Sequence, residues 1–126
     1  MSTPEANQVA AYPNEVRRAA ELVLERRALD VAILDLRGIS SATDFFVLAS
    51  GTSDVQVKAI AEHVVDELGK QDVRAGHLEG MRGGRWVLLD YIDFVVHVFH
   101  VQARAFYQLD NLWGDAPRWD APPADA

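Results

Sequence analysis

Residues 43–69, TDFFVLASGTSDVQVKAIAEHVVDELG, carry a strand signal, a turn and a capped helix in unbroken succession. Residues 45–49 are a short apolar run of strand-forming types, bounded by Asp44 on one side and Ser50-Gly51 on the other. Ser53 with Gln56 three residues on has the pattern of a capping box. In it the hydroxyl takes one orphan amide, and the Gln side chain returns to the cap's own N–H. Asp54 adds a charge matched to the helix dipole. Val57, Ile60, Ala61, Val64 and Leu68 then share one helical face, Lys58, Glu62, Asp66 and Glu67 take the other, and Gly69 supplies a stop. The spacing predicts a helix over 54–68. Parallel strands cannot be joined by a short turn and need such a crossover, so the chain belongs to the α/β or α+β class.

The remaining signals arrange themselves around this unit. Tyr12-Pro13-Asn14-Glu15 opens a first helix, with Val16, Ala19, Ala20, Val23 and Leu24 as its apolar stripe. Residues 31–36 read as a strand, and 37–42, with Gly38 and two serines, as the loop after it. Residues 72–78 form a weak strand signal, 79–84 a glycine-rich turn, and 85–89 and 94–101 the two clearest strands, joined by a tight hairpin at 90–93. The run 94–101 is apolar at nearly every position, the mark of a strand covered on both faces and therefore central. A last helix is predicted over 102–112, with Ala105, Phe106, Leu109, Leu112 and Trp113 on one face. The expected architecture is a mixed five-stranded sheet with about three helices in one domain, residues 13–114. Residues 1–12 and the acidic, proline-rich 115–126 are expected to be disordered tails.

Composition narrows the function classes. A chain of 126 residues can bury enough surface for an unstapled core. The absence of cysteine removes disulfides, thiolate metal sites and cysteine nucleophiles. No basic start with an apolar run marks a secretory signal, and no apolar segment approaches the ~20 residues of a membrane span, so a cytoplasmic protein is expected. The formal net charge of -7 argues against a phosphate backbone as the main binding surface and favours a basic partner, attracted within a Debye length of ~8 Å.

The candidate chemistry is sparse. Gly51-Thr52-Ser53 before a helix offers amides to a phosphate, but it lacks the Walker lysine and the spaced glycines of a dinucleotide site, and a capped helix start accounts for the same residues. Asp90 and Asp93 suggest a metal-binding carboxylate pair of the nucleotidyltransferase sort. At i and i+3, however, they point to opposite faces of a strand, which makes them better turn formers than metal ligands. His97 and His100 fail a shared-metal reading for the same reason. His63 and His77 have no evident carboxylate partner in the sequence. No cofactor, metal or catalytic residue is expected. Trp86 alternates with Leu88 and Asp90, leaving Val87 and Leu89 for the opposite face. Three helices of moderate length hardly cover both faces of a five-stranded sheet, so the Trp86 face either packs under a helix or stays open as an apolar patch with an acidic rim.

TDFFVLASGTSDVQVKAIAEHV, then EGMRGGRWVLLDYIDFVVHVF and RAFYQLDNLWGDA, together resemble the ribosomal silencing factor family, also called the Iojap family, over roughly residues 16–116. Thr43-Asp44, Gly51-Thr52-Ser53, Glu79-Gly80, Trp86, Asp90 with Asp93, Val96-His97, Tyr107, Leu109 and Leu112-Trp113 carry the likeness. The resemblance implies a non-enzymatic translation factor with a nucleotidyltransferase-like fold. Such a factor binds the large ribosomal subunit through its protein L-fourteen, blocks joining of the small subunit when nutrients are short, and is a homodimer when free. On this reading the partner-binding surface is the open face of the last hairpin, with Trp86 and Leu88 as apolar anchor and Glu79, Asp90, Tyr91 and Asp93 as polar surround. The competing reading is a small metal-dependent nucleotidyltransferase built on the 51–53 turn, Asp90 and Asp93.

Overall fold

A strand that is apolar on both sides demands cover on both sides, and the run beginning at Phe94 occupies the position that meets this demand. In the computed structural model, which describes residues 9–122, the elements in chain order are α1 (Asn14–Glu25), β1 (Leu29–Asp35), β2 (Phe45–Gly51), α2 (Asp54–Lys70), β3 (His77–Glu79), β4 (Trp86–Asp90), β5 (Phe94–His100), α3 (Val101–Tyr107), α4 (Leu109–Leu112) and β6 (Arg118–Asp120). The sheet order is β3-β4-β5-β2-β1-β6, with β5 in the interior. Among the described residues only β2 and β5 run parallel, paired from Phe45↔Phe94 to Gly51↔His100; the other pairings there are antiparallel. The chain leaves β2 through α2, crosses to the sheet edge at β3, and returns through β4 to lay β5 beside β2.

The strand registers sort the side chains into two faces. Glu79, Leu88, His97, Leu48 and Ala32 line up in one row, and Asp90, Val95, Phe46 and Leu34 in the next. On the opposite face Val87, Leu89, Phe94, Val96, Val98, Phe45, Val47, Ala49 and Ile33 pack under Val16, Ala19, Ala20 and Val23 of α1 and Val57, Ile60, Ala61, Val64 and Leu68 of α2. This is the main core. The other face has a smaller cluster of Ala32, Leu34, Leu36, Leu48, Phe99 and Ala116, with Phe46, Leu109 and Trp113 packed against it.

Several boundaries differ from the sequence reading, each for a local reason. Among the described residues the sheet has six strands, because Arg118–Asp120, expected within a disordered tail, pairs with β1 as an edge strand. Tethering explains it. Arg104 of α3 is buried and donates from Nε and Nη2 to the two oxygens of Asp110 at 2.9 and 2.8 Å, while Arg118 reaches the same carboxylate at 3.0 Å. The clasp also interrupts the predicted 102–112 helix. Gln108 adopts a left-handed φ of 50°, separating α3 from α4 so that Asp110 comes back under Arg104. At the other end, Val9–Ala11 forms a 3-10 turn and Tyr12 is buried against Phe45, so the expected disordered segment 1–12 is ordered at least from residue 9; residues 1–8 and 123–126 lie outside the described residues.

The weak strand at 72–78 reduces to His77–Glu79. Helix α2 runs through Gly69 to Lys70, and Asp72, at φ 64°, takes the left-handed position foreseen for the glycine. In α1 Leu22 is buried and Leu24 is exposed, because the helix packs against α2 as well as the sheet and its apolar arc is broader than a single stripe. Ser53 caps α2 as expected, accepting from the Gln56 amide at 3.0 Å. The Gln56 Oε1, however, receives the Thr52 N–H at 2.7 Å rather than the N–H of the cap itself.

Glycine is required where Gly80 turns the chain from β3 toward β4. Its φ is +84°, and an added Cβ would penetrate the Trp86 carbonyl oxygen. Gly83, in the same loop, has open space around it. Gly80→Ala is expected to destabilise the fold by about 2 kcal/mol or more, whereas Gly83→Ala stays within about 0.5 kcal/mol. Urea midpoints of the two variants check this contrast.

Candidate protein-binding face

The less covered sheet face presents an apolar groove of about 160 Å³ lined by Phe46, Leu48, Trp86, His97, Phe99, Leu109, Leu112 and Trp113. Strands β2, β4 and β5 form its floor, and α4 with Trp113 forms one wall. Trp86 is 36% exposed at its edge. The indole is fixed by a hydrogen bond from Nε1 to His97 Nδ1 at 3.0 Å and by rings on either side, Phe99 at 5.3 Å and Tyr107 at 5.8 Å. Phe46 meets His97 at 4.4 Å and Trp113 at 5.4 Å, both edge to face. Leu112 of the groove wall is itself largely exposed, as are the apolar side chains Phe106 and Tyr107 of α3.

Because His97 Nδ1 accepts the indole proton, the neutral ring carries its own proton on Nε2, which is buried and has no partner among the described residues. Burial alone pushes this imidazole down to about 4. His97 is therefore a neutral structural support for Trp86 at physiological pH. In the sequence it stands within a family motif and as a strand residue facing away from His100, with no sign of the bond to Trp86; His100 caps α3 by accepting the Gln102 amide at 3.1 Å.

The residues predicted as the partner surface divide. Trp86, Leu88 and Asp90 share the open face, with Glu79 opposite Leu88 on β3, and Asp93 stands exposed in the hairpin turn. Tyr91 does not belong with them. It is 8% exposed on the helix-covered face, stacked on Phe94 with ring centroids 4.9 Å apart, and burial raises its phenol to about 12. Strand alternation puts it on the opposite side from Asp90, and its N–H, donating to the Phe94 carbonyl at 2.9 Å, holds it there beside the Phe94 ring. Phe46, His97, Leu109 and Trp113 were missed, since they come from three separate stretches of chain that only the sheet register and the α3–α4 break bring together. The histidines with no evident partner also acquire carboxylates: His63 meets Glu25 at 2.8 Å and His77 meets Glu79 at 2.6 Å.

The two halves of the nucleotidyltransferase reading lie at opposite ends of the sheet. Asp90 pairs with Val95, which pairs with Phe46 at one end of β2, while Gly51 closes the other end beside His100. The intervening length of strand is about 17 Å at 3.3 Å per residue, too far for one metal-nucleotide centre to use both. Asp90 is engaged as a turn former, its Oδ1 accepting the Ile92 N–H at 2.8 Å. At the 51–53 turn Gln56 and Ser53 already hold the Thr52 and Gln56 amides, and Gly51 serves close packing, an added Cβ lying 3.1 Å from Val57 Cγ2.

These features define a mixed α/β domain with an aromatic groove on the thinly covered face of its sheet and acidic side chains along the neighbouring strands. Comparison with known proteins gives the family. Residues 9–126 match the family profile described as "Ribosomal silencing factor during starvation". Over 102 residues the chain is 44% identical to the ribosomal silencing factor of Bacillus subtilis, covering 81% of this chain and 86% of that protein. It is 31% identical over 120 residues to the chloroplastic protein Iojap of Zea mays, covering 95% of this chain and 52% of that one. A crystal structure of a protein from Chromobacterium violaceum superposes with a TM-score of 0.76 at 35% identity, covering 79% of this chain and 84% of that one. One from Bacillus halodurans does so with 0.72 at 40%, covering 80% and 95%. The chain belongs to the ribosomal silencing factor family.

The depressed His97 pKa fixes the sign of a pH effect. The unfolded ring takes up its proton below its ordinary 6.5 and the folded ring only near 4. The folded state is therefore favoured fully above pH 6.5 and loses this contribution as pH falls toward 4, by up to about 3 kcal/mol. Replacing His97 by Gln, which keeps an acceptor for Trp86, is expected to flatten the fall in stability between about pH 7 and about pH 5. Denaturant midpoints of both proteins at the two pH values check it.

Proposed function

We propose that this protein binds the large ribosomal subunit through its protein L-fourteen and, seated there, occupies space that the small subunit needs. Joining is blocked and translation is repressed under nutrient limitation. Family membership supports the ribosomal target, and the observation that carries the choice of surface is the half-exposed, rigidly supported Trp86 beside an apolar groove. Aromatic groups of this kind dominate interface energetics when a partner buries them. Leu88 extends the anchor, and Glu79, Asp90 and Asp93 supply an acidic rim suited to a basic ribosomal protein. The mechanism is steric: binding free energy does the work, no bond is made or broken, and neither metal nor cofactor takes part. The protein acts in the cytoplasm and forms a homodimer when free of the ribosome. Among the described residues no helix is long and apolar enough to cross a membrane.

Trp86→Ala is expected to fold, because the indole is partly in solvent, and to weaken binding to purified large subunits by about 30-fold, equivalent to ~2 kcal/mol. Asp93→Lys is expected to weaken binding at low salt, with the difference fading as ionic strength rises. Cosedimentation with large subunits and light-scattering assays of subunit joining read both effects. Wild-type binding by a folded Trp86→Ala variant would remove this face from consideration.

A further inference from the structure

We infer that Ile92, at the tip of the β4–β5 hairpin, is a second apolar anchor for the same basic ribosomal protein surface, held out by a turn built to fix it; the inference rests on the ribosomal reading above. Ile92 is 72% exposed and has a φ of +76°. The Asp93 N–H donates to the Tyr91 carbonyl at 2.9 Å across it, which makes residues 91–93 a γ-turn of the rare, strained hand. A β-branched residue is poorly suited to positive φ, and hairpin turns with this demand are ordinarily met by Gly, Asn or Asp. Turning the chain therefore does not require isoleucine, and neither does packing, since the side chain stands in solvent.

The surroundings nevertheless over-determine the conformation. The Ile92 N–H donates to Asp90 Oδ1 at 2.8 Å, and its carbonyl accepts from the buried Thr43 hydroxyl at 2.9 Å. The Asp44 N–H donates to the Asp93 carbonyl at 3.0 Å, and the Tyr91 N–H to the Phe94 carbonyl at 2.9 Å. The loop before β2 thus grips the hairpin from 49 residues away in the chain. Strain held in place by several independent contacts is a property of functional positions, and an anchor fixed before contact loses little freedom on binding. The flanking Asp90 and Asp93 continue the acidic rim, and Asp90 joins the tip to the Trp86–Leu88 face. The fitting partner is a basic surface with a small apolar hollow. Thr43 is a positioning residue for this anchor.

Affinity for purified large subunits and the melting temperature, measured for wild type, Ile92→Gly, Ile92→Leu, Thr43→Val and Trp86→Ala, test the assignment. Glycine relieves the backbone, so Ile92→Gly is expected to keep or raise the melting temperature while lowering affinity about tenfold. Ile92→Leu stays within about threefold of wild type, and Thr43→Val falls between the two. If Ile92→Gly binds like wild type while Trp86→Ala does not, the anchor is overturned and the ribosomal reading stands. A joint fall in melting temperature and affinity for Ile92→Gly makes Ile92 a structural residue and also overturns it. If wild type itself fails to bind, the ribosomal reading falls and the anchor with it; if Trp86→Ala and Ile92→Gly both bind normally, this face and the anchor are overturned while the ribosomal reading stands.

Discussion

Strand β5 is apolar toward both faces of the sheet, and the chain has unequal means of covering them. Two long helices, α1 and α2, bury most of one face, and the core residues there are almost without exposure, with Leu78 on the edge strand left open. The opposite face is left to short elements: α3, the single turn α4, Trp113 and the segment that ends in β6. That inequality shapes the molecule. It gives a firm platform on one side and an incompletely filled aromatic groove on the other.

Charge as well as apolar packing holds the thin cover in place. Arg104 donates to the Asp30 carbonyl and the Ser50 hydroxyl at 2.7 and 2.9 Å and grips Asp110 with the other side of its guanidinium. Arg118 meets the same carboxylate from β6. The hydrogen bonds from Arg104, with Arg118 behind them, hold the Asp110 carboxyl down at about 2, so the clasp persists across the physiological range. A buried guanidinium deprived of its carboxylate is strongly destabilising, and a bidentate pair sets direction as well as energy. The clasp thereby ties α4 and the last strand to β1 and β2, and with them one wall of the groove.

The groove and the hairpin tip share a design in which exposed apolar groups are immobilised by buried polar ones. His97 fixes Trp86 from below, and Thr43 fixes Ile92 from behind. Both supports are buried, and His97 also forms part of the groove lining. The steric mechanism proposed above asks for little more than this: a rigid patch, a charge of the right sign around it, and enough bulk behind it to exclude a competitor.

The strand–turn–helix at 43–69, the central position of β5, the hairpin at 90–93 and the division of Trp86 from Val87 were legible in the sequence, because local patterns of period two and 3.6, caps and turns encode them directly. The family was legible for the same reason, its motifs being local runs. The buried place of Tyr91, the ordering of Arg118–Asp120, the break at Gln108, the carboxylate partners of His63 and His77, and the groove itself were decided only by tertiary structure. Each depends on groups far apart in the chain, such as Arg104 with Ser50, Thr43 with Ile92 and His63 with Glu25. Periodicity states which residues share a face, but which face is covered, and by what, is set by the register of strands whose partners lie elsewhere in the chain.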